Sequence, residues 1–161
     1  MITVSPMIQI RQAVYTAIET ARDNGDYTLG KEWSLDWAYM PYTELPDMDP
    51  KGQVWVLGLA ADDEQKQSRA NLTQKEIPIQ VALQKLVGSP DDKDHIDRLI
   101  LMEEQLRYTV RKSVDIAEEE FSWIRTESLK DDEGTPFSFM GLREGNVFEA
   151  YFTAYFRHVM E

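Results

Sequence analysis

Cysteine is absent from this chain and histidine occurs only twice. Without cysteine there is no disulfide framework, no thiolate nucleophile and no cysteine-based zinc site, and a reducing interior suits such a protein. Basic charge is also scarce. Seventeen Lys and Arg stand against 29 Asp and Glu, a formal net charge of −12. A surface of that sign repels nucleic acid at long range and does not hold it by neutralising phosphates. The longest apolar runs are far too short to span a bilayer, so no membrane contact is expected. The stretch Met1–Pro6 has neither the basic nor the apolar region of a signal peptide, and no targeting segment is expected there. A Gly-rich phosphate loop, a nucleophile elbow and a His-Glu pair on a helix are all missing, and no cofactor is expected.

What is present reads as one soluble globular domain over residues 1–161, with 42% hydrophobic and 29% charged residues. The central signal is the stretch from Glu76 to Lys85. Ile77, Ile79, Val81 and Leu83 alternate there with Glu76, Gln80 and Gln84, the period of a half-buried strand. A second such stretch runs from Val147 to Val159. Phe148, Phe152 and Phe156 share one side with Ala150 and Ala154, while Glu149, Tyr151, Thr153, Tyr155 and Arg157 share the other. Two long two-faced strands so far apart imply a sheet joining the middle of the chain to its end.

Ser5 and Pro6 open a helix, as N-cap and first helical residue. Its apolar positions Ile10, Val14 and Ile18 recur at helical spacing, and Asn24-Gly25 stops it near Asp23. Trp33, Leu35, Trp37 and Tyr39 then alternate with Ser34, Asp36 and Ala38 as a strand. Gln53 to Ala60 is a nearly continuous apolar strand, expected well inside the sheet. Residues Ala61 to Lys75 are polar, of mixed charge and without periodicity, which fits either a long functional loop or an extended hairpin. A second helix follows Gly88, with the apolar stripe Ile96, Leu99, Ile100, Met102, Leu106 and Val110. Asp91, Asp92 and Asp94 at its start and Arg107, Arg111 and Lys112 at its end complement the helix dipole. Phe121 to Leu129 reads as a strand and Asp131 to Pro136 as a turn, with Phe137 to Leu142 a short strand or irregular cover. The expected fold is α+β: a largely antiparallel or mixed β-sheet with two helices packed on one face. The opposite face, bearing Tyr151, Tyr155, Arg157 and the tryptophans of the first strand, suits a subunit interface.

The candidate chemical groups have simpler readings. His95 beside Asp91, Asp92 and Asp94 looks like a metal site, but helix capping accounts for those acids. His158 is expected to be packed or solvated. Asp47 and Asp49, and Asp131, Asp132 and Glu133, lie in Pro- or Gly-marked turns where Asp serves local hydrogen bonds, and Glu118 to Glu120 reads as a solvated run.

Three stretches carry a resemblance. Ile8 to Ile18, then Val54 to Leu59 with Ser68-Arg69 and Ile77 to Lys85, and finally Phe152 to Arg157, resemble the opening helix, middle segment and closing strand of siphophage tail terminator proteins. That family includes closely related tail-completion, or head–tail joining, proteins. Residues Asp131 to Asn146 exceed the family pattern. The resemblance implies a non-enzymatic virion protein, made in the bacterial host cytoplasm and located in the tail. It implies a homo-oligomeric ring, a hexamer, that caps the tail tube and meets the head–tail connector, while DNA passes through without specific binding. The loop from Asp62 to Lys75, with Asp63, Glu64, Lys66 and Arg69, would line the lumen or contact the tube. The alternatives are a neck or connector component on the portal side and a cytoplasmic enzyme with a carboxylate site on Asp47, Asp49 or Asp131.

Replacing Ile79 or Val81 by Asp places a charge on the core face and is expected to unfold the subunit. Circular dichroism and thermal melting check this; a soluble variant with native melting would disprove the strand assignment.

Overall fold

Ile77, Ile79, Val81 and Leu83 are at most 1% exposed, and Phe148, Phe152 and Phe156 match them. The computed structural model of the protein describes residues 5–39, 48–58, 65–67, 72–114, 121–128 and 137–160. It contains α1 (Pro6–Asp23), β1 (Ser34–Ala38), β2 (Gln53–Gly58), β3 (Gln65–Gln67) and β4 (Leu72–Leu86), followed by α2 (Lys93–Lys112), β5 (Phe121–Ser128), α3 (Phe139–Gly145) and β6 (Val147–Met160). The sheet order is β1-β2-β4-β6-β5, with β3 paired to β4. The expected α+β fold is thus the one adopted, a mixed and mostly antiparallel sheet with helices against one face.

β4 and β6 pair antiparallel from Thr73↔Met160 to Leu86↔Val147. Their apolar sides merge with Val54 and Val56 of β2 beneath Ile10, Val14 and Ile18 of α1 and Leu99, Met102 and Leu106 of α2. β2 is buried throughout, as its continuous apolar run requires. Pro78 lies between the part of β4 paired to β2, which reaches Ile79, and the part paired to β3, which begins at Gln74, and its register partner in β6 is Tyr155.

Four details sharpen or correct the sequence reading. β1 and β2 are parallel, because the connection from Tyr39 to Gly52 is long enough to carry the chain back to the same end of the sheet. Its far end is fastened by Asp49, which accepts hydrogen bonds from Ser34 Oγ at 2.7 Å and Lys51 N at 2.9 Å. Phe139–Gly145 is a third helix where a strand or irregular cover was expected. Ser138 caps it by accepting from Gly141 N, and left-handed Asn146 (φ 52°) ends it. β4 begins at Leu72 instead of Glu76, and β3 pairs with it, so the described part of the long loop is an extended hairpin.

The fourth correction concerns the aromatic residues of β1. Leu35 and Trp37 stand in register with Val54 and Val56, on the helix side, and Trp33 belongs to the main core. They face α1, away from the open side. Arg11 lies with its Cζ 3.9 Å from the centroid of Trp37 and 5.1 Å from that of Tyr39, and also donates to Tyr39 Oη. Eleven residues on, three helical turns, Arg22 reaches over Trp33 at 5.3 Å and donates to its carbonyl at 3.1 Å. Tyr15, one turn after Arg11, donates to Leu35 O at 3.4 Å. One stripe of α1 therefore holds the five-residue edge strand along its length.

Gly52 enters β2 with φ +124°, and a Cβ there would meet Leu29 Cδ2 at 2.6 Å and Trp33 Cβ at 3.1 Å. Gly52→Ala is therefore expected to cost about 1–3 kcal/mol, measurable as a lowered denaturation midpoint.

Candidate functional site

Strand alternation assembles one face of the sheet that no described helix covers. By register Gln84, Ala82, Gln80 and Glu76 of β4 lie beside Glu149, Tyr151, Thr153 and Arg157 of β6. Toward β2 this face is apolar. Trp55, Leu57 and Ala82 are buried, with Ala38 and Tyr151 packed against them. The buried amides are bonded, as burial demands. Trp55 Nε1 donates to Gln84 Oε1 at 3.0 Å, and Gln80 Nε2 donates to Thr153 Oγ1 at 3.5 Å.

Toward β5 the same face becomes ionic. Arg125 donates to both carboxylate oxygens of Glu76 at 3.3–3.4 Å and pairs with Glu127 at 3.3 Å. Its guanidinium sits 4.0 Å over the ring of Tyr155, whose hydroxyl donates to Glu127 at 3.2 Å. A bulge between Trp123 and Arg125 shifts the register of β5, and Arg125 is opposite Tyr155. The Glu76 hydrogen bond raises the pKa of Arg125 above its already high value. Each exposed pair is worth only about 0.2–1 kcal/mol, but the shared Arg fixes the positions of two acids and one tyrosine. This cluster offers a preorganised polar surface.

The sequence-predicted residues divide as follows. Tyr151, Tyr155 and Arg157 do share the open face, all partly buried. Lys66 is in β3 opposite Thr73, and Lys75 is in β4 opposite His158, so both belong to strands. Asp62, Asp63, Glu64 and Arg69 lie outside the described residues, as do Asp47, Glu118 to Glu120, Asp131, Asp132 and Glu133. His158 is buried against Phe121, the rings 4.9 Å apart and stacked. Asp92 caps α2 by accepting from His95 N at 3.2 Å, the local role its position implied. The Ser34 and Lys51 hydrogen bonds hold the Asp49 carboxyl below its ordinary pKa. Among the described residues no three His, Cys, Asp or Glu side chains gather as a metal site, and no helix is long and apolar enough to cross a membrane.

On the helix side lies a feature that periodicity did not announce. A groove of about 1150 Å³ runs between α1 and α2, walled by Ala13, Thr16 and Ala17 on one side and Leu101, Tyr108 and Thr109 on the other. The segment after α1 is bolted to α2: Tyr27 Oη donates to Thr109 Oγ1 at 2.8 Å, and Thr28 donates to Gln105 and Arg98. Burial pushes the Tyr27 hydroxyl up to about 12. On its core side α2 also buries Glu103, 2.9 Å from Arg107 one turn later, while Arg107 lies 6.0 Å over Phe152. The Glu103–Arg107 spacing was readable as an i,i+4 pair, but its burial was not.

Burial raises the Glu103 carboxyl above its ordinary 4.5, and Arg107 only partly offsets that. A raised folded-state pKa means that the folded protein holds this proton more tightly than the unfolded chain. The resulting stability is full below 4.5 and is lost as pH rises through the folded value. Relative to Glu103→Gln, the wild type should therefore gain melting temperature as pH falls from 8 toward the ordinary value of 4.5, as checked by paired thermal melts. Compared with known proteins, no family model matches the chain and no curated protein matches it.

Proposed function

We propose that this chain is a phage virion structural protein, a tail terminator or minor tail protein that forms a ring capping the tail tube and joining tail to head. The observation that carries the proposal is the preorganised polar patch on the face of the sheet that no described helix covers. Arg125, Glu76, Glu127 and partly buried Tyr155 form that patch, and the buried Trp55 and Leu57 with Tyr151 packed against them support the same face toward β2. A fixed surface of mixed polarity suits contact with neighbouring subunits better than turnover of a substrate. The net charge of −12 agrees with a lumen through which DNA slides without being held. The partners would be other copies of the chain, the tube protein and the connector.

The carboxylate-enzyme reading has less support. Asp49 is committed to a turn, and the α1–α2 groove brings Asp26 and Glu104 to its walls but not Asp49.

Light scattering over a wide concentration range, with negative-stain images of the same samples, tests the proposal. Annular particles of about six subunits are expected, if need be only after addition of tube ends. Arg69→Glu with Lys75→Glu should leave the subunit folded and reduce that assembly. No annuli under either condition would overturn the ring reading.

A further inference from the structure

We propose that the α1–α2 groove is a self-association surface, filled by α2 of a second copy related by a two-fold axis passing near Tyr108. Three exposed large hydrophobic residues border this groove: Ile8 at 40%, Leu101 at 44% and Tyr108 at 61%. Such a concentration of apolar surface around one concavity marks a contact site. The groove is also self-complementary in shape. Tyr108 stands as a knob across the groove from the small side chains of Ala13 and Ala17, and about 1150 Å³ leaves room for the partner's tyrosine and leucine. In an isologous contact each knob enters the other's hollow, so one surface supplies both halves.

Charge selects the second copy as occupant. Glu104 and Lys112 lie on the groove side of α2, four residues before and four residues after Tyr108. Residues four apart in a helix share a face, so Leu101, Glu104, Tyr108 and Lys112 form one stripe. When two such helices cross antiparallel about Tyr108, Glu104 of each meets Lys112 of the other, and the axis doubles the pair. Lys112 Nζ already rests 4.8 Å over the Tyr108 ring, close to where the partner's acid would arrive. Among the described residues no ion pair within the subunit engages either Glu104 or Lys112. A parallel crossing would instead oppose like charges, which makes the antiparallel arrangement the selected one. This contact uses the helix layer and does not depend on the open face of the sheet invoked for the ring.

Sedimentation equilibrium from about 1 μM to about 1 mM, at moderate salt, tests the inference. The wild type should pass from one subunit to two. Glu104→Lys and Lys112→Glu each replace two attractions by two repulsions, and each should weaken dimerisation at least about tenfold. The double variant Glu104→Lys/Lys112→Glu should restore it, and an equimolar mixture of the two single variants should form mixed dimers. Tyr108→Glu should be monomeric with an unchanged melting temperature. A wild type that stays monomeric throughout overturns the proposal, and so does a dimer indifferent to the charge swaps. A monomer carrying a co-purified apolar molecule, seen as added mass in native mass spectrometry, overturns it as well. Annuli of unchanged mass in every charge variant would refute the dimer while leaving the ring reading standing.

Discussion

The pairing of β4 with β6 is the constraint on which the rest of the molecule depends. It runs through 14 successive residue pairs and sets Ile77, Ile79, Val81 and Leu83 against Phe156, Ala154, Phe152 and Ala150. Because side chains alternate with a period of two, a slip of one residue would move that whole set to the open face and bring Glu76, Gln80 and Gln84 into the core. The three phenylalanines of β6 are each at most 1% exposed, with alanines between them, so bulk and space alternate along the strand. β2 joins one side of this pair and β5 the other, and both helices take their positions from its apolar face.

Around that centre the two edges are managed by different means. β1 is short and lies parallel to its neighbour, and it is secured from above by α1 through Arg11, Tyr15 and Arg22. Arg11 is only 6% exposed, and among the described residues its charge is met by the faces of Trp37 and Tyr39 and by the Tyr39 hydroxyl. β5 is secured within the sheet plane. Its bulge places Arg125 over Tyr155 and between two acids, and a bulged, charged edge is a poor template for uncontrolled strand addition.

How much of this was readable in the sequence depends on the range of the interaction. The α1 boundaries, the buried β2 and both faces of β6 follow from local periodicity and capping residues, and the structure has them as expected. A mixed sheet was among the expectations, but which pair is parallel was not readable, because it depends on the path of the long connection between β1 and β2. The face of Trp33 and Trp37 was misplaced because alternation says which residues lie together and not which side they meet. Only the arginines of α1, more than ten positions away in sequence, decide that. α3 had its signals in Ser138 and Asn146, but its seven residues hold too little apolar periodicity to outweigh a strand reading. The α1–α2 groove arises from the separation of two helices, a quantity no single stretch encodes.

The placement of β6 also governs the order in which this protein can be made. It is an inner strand of the sheet, yet its β4 partners are at least 61 positions earlier in the chain. Until β6 leaves the ribosome, β4 has a bare edge along its length and β5 has no neighbour to pair with. Loop closure over that distance must be met before its contacts reward it, so high contact order makes the docking of β6 the slow step. A nascent chain stalled before Val147 would display the apolar face of β4 to any other chain, and chaperone contact during synthesis would concentrate there.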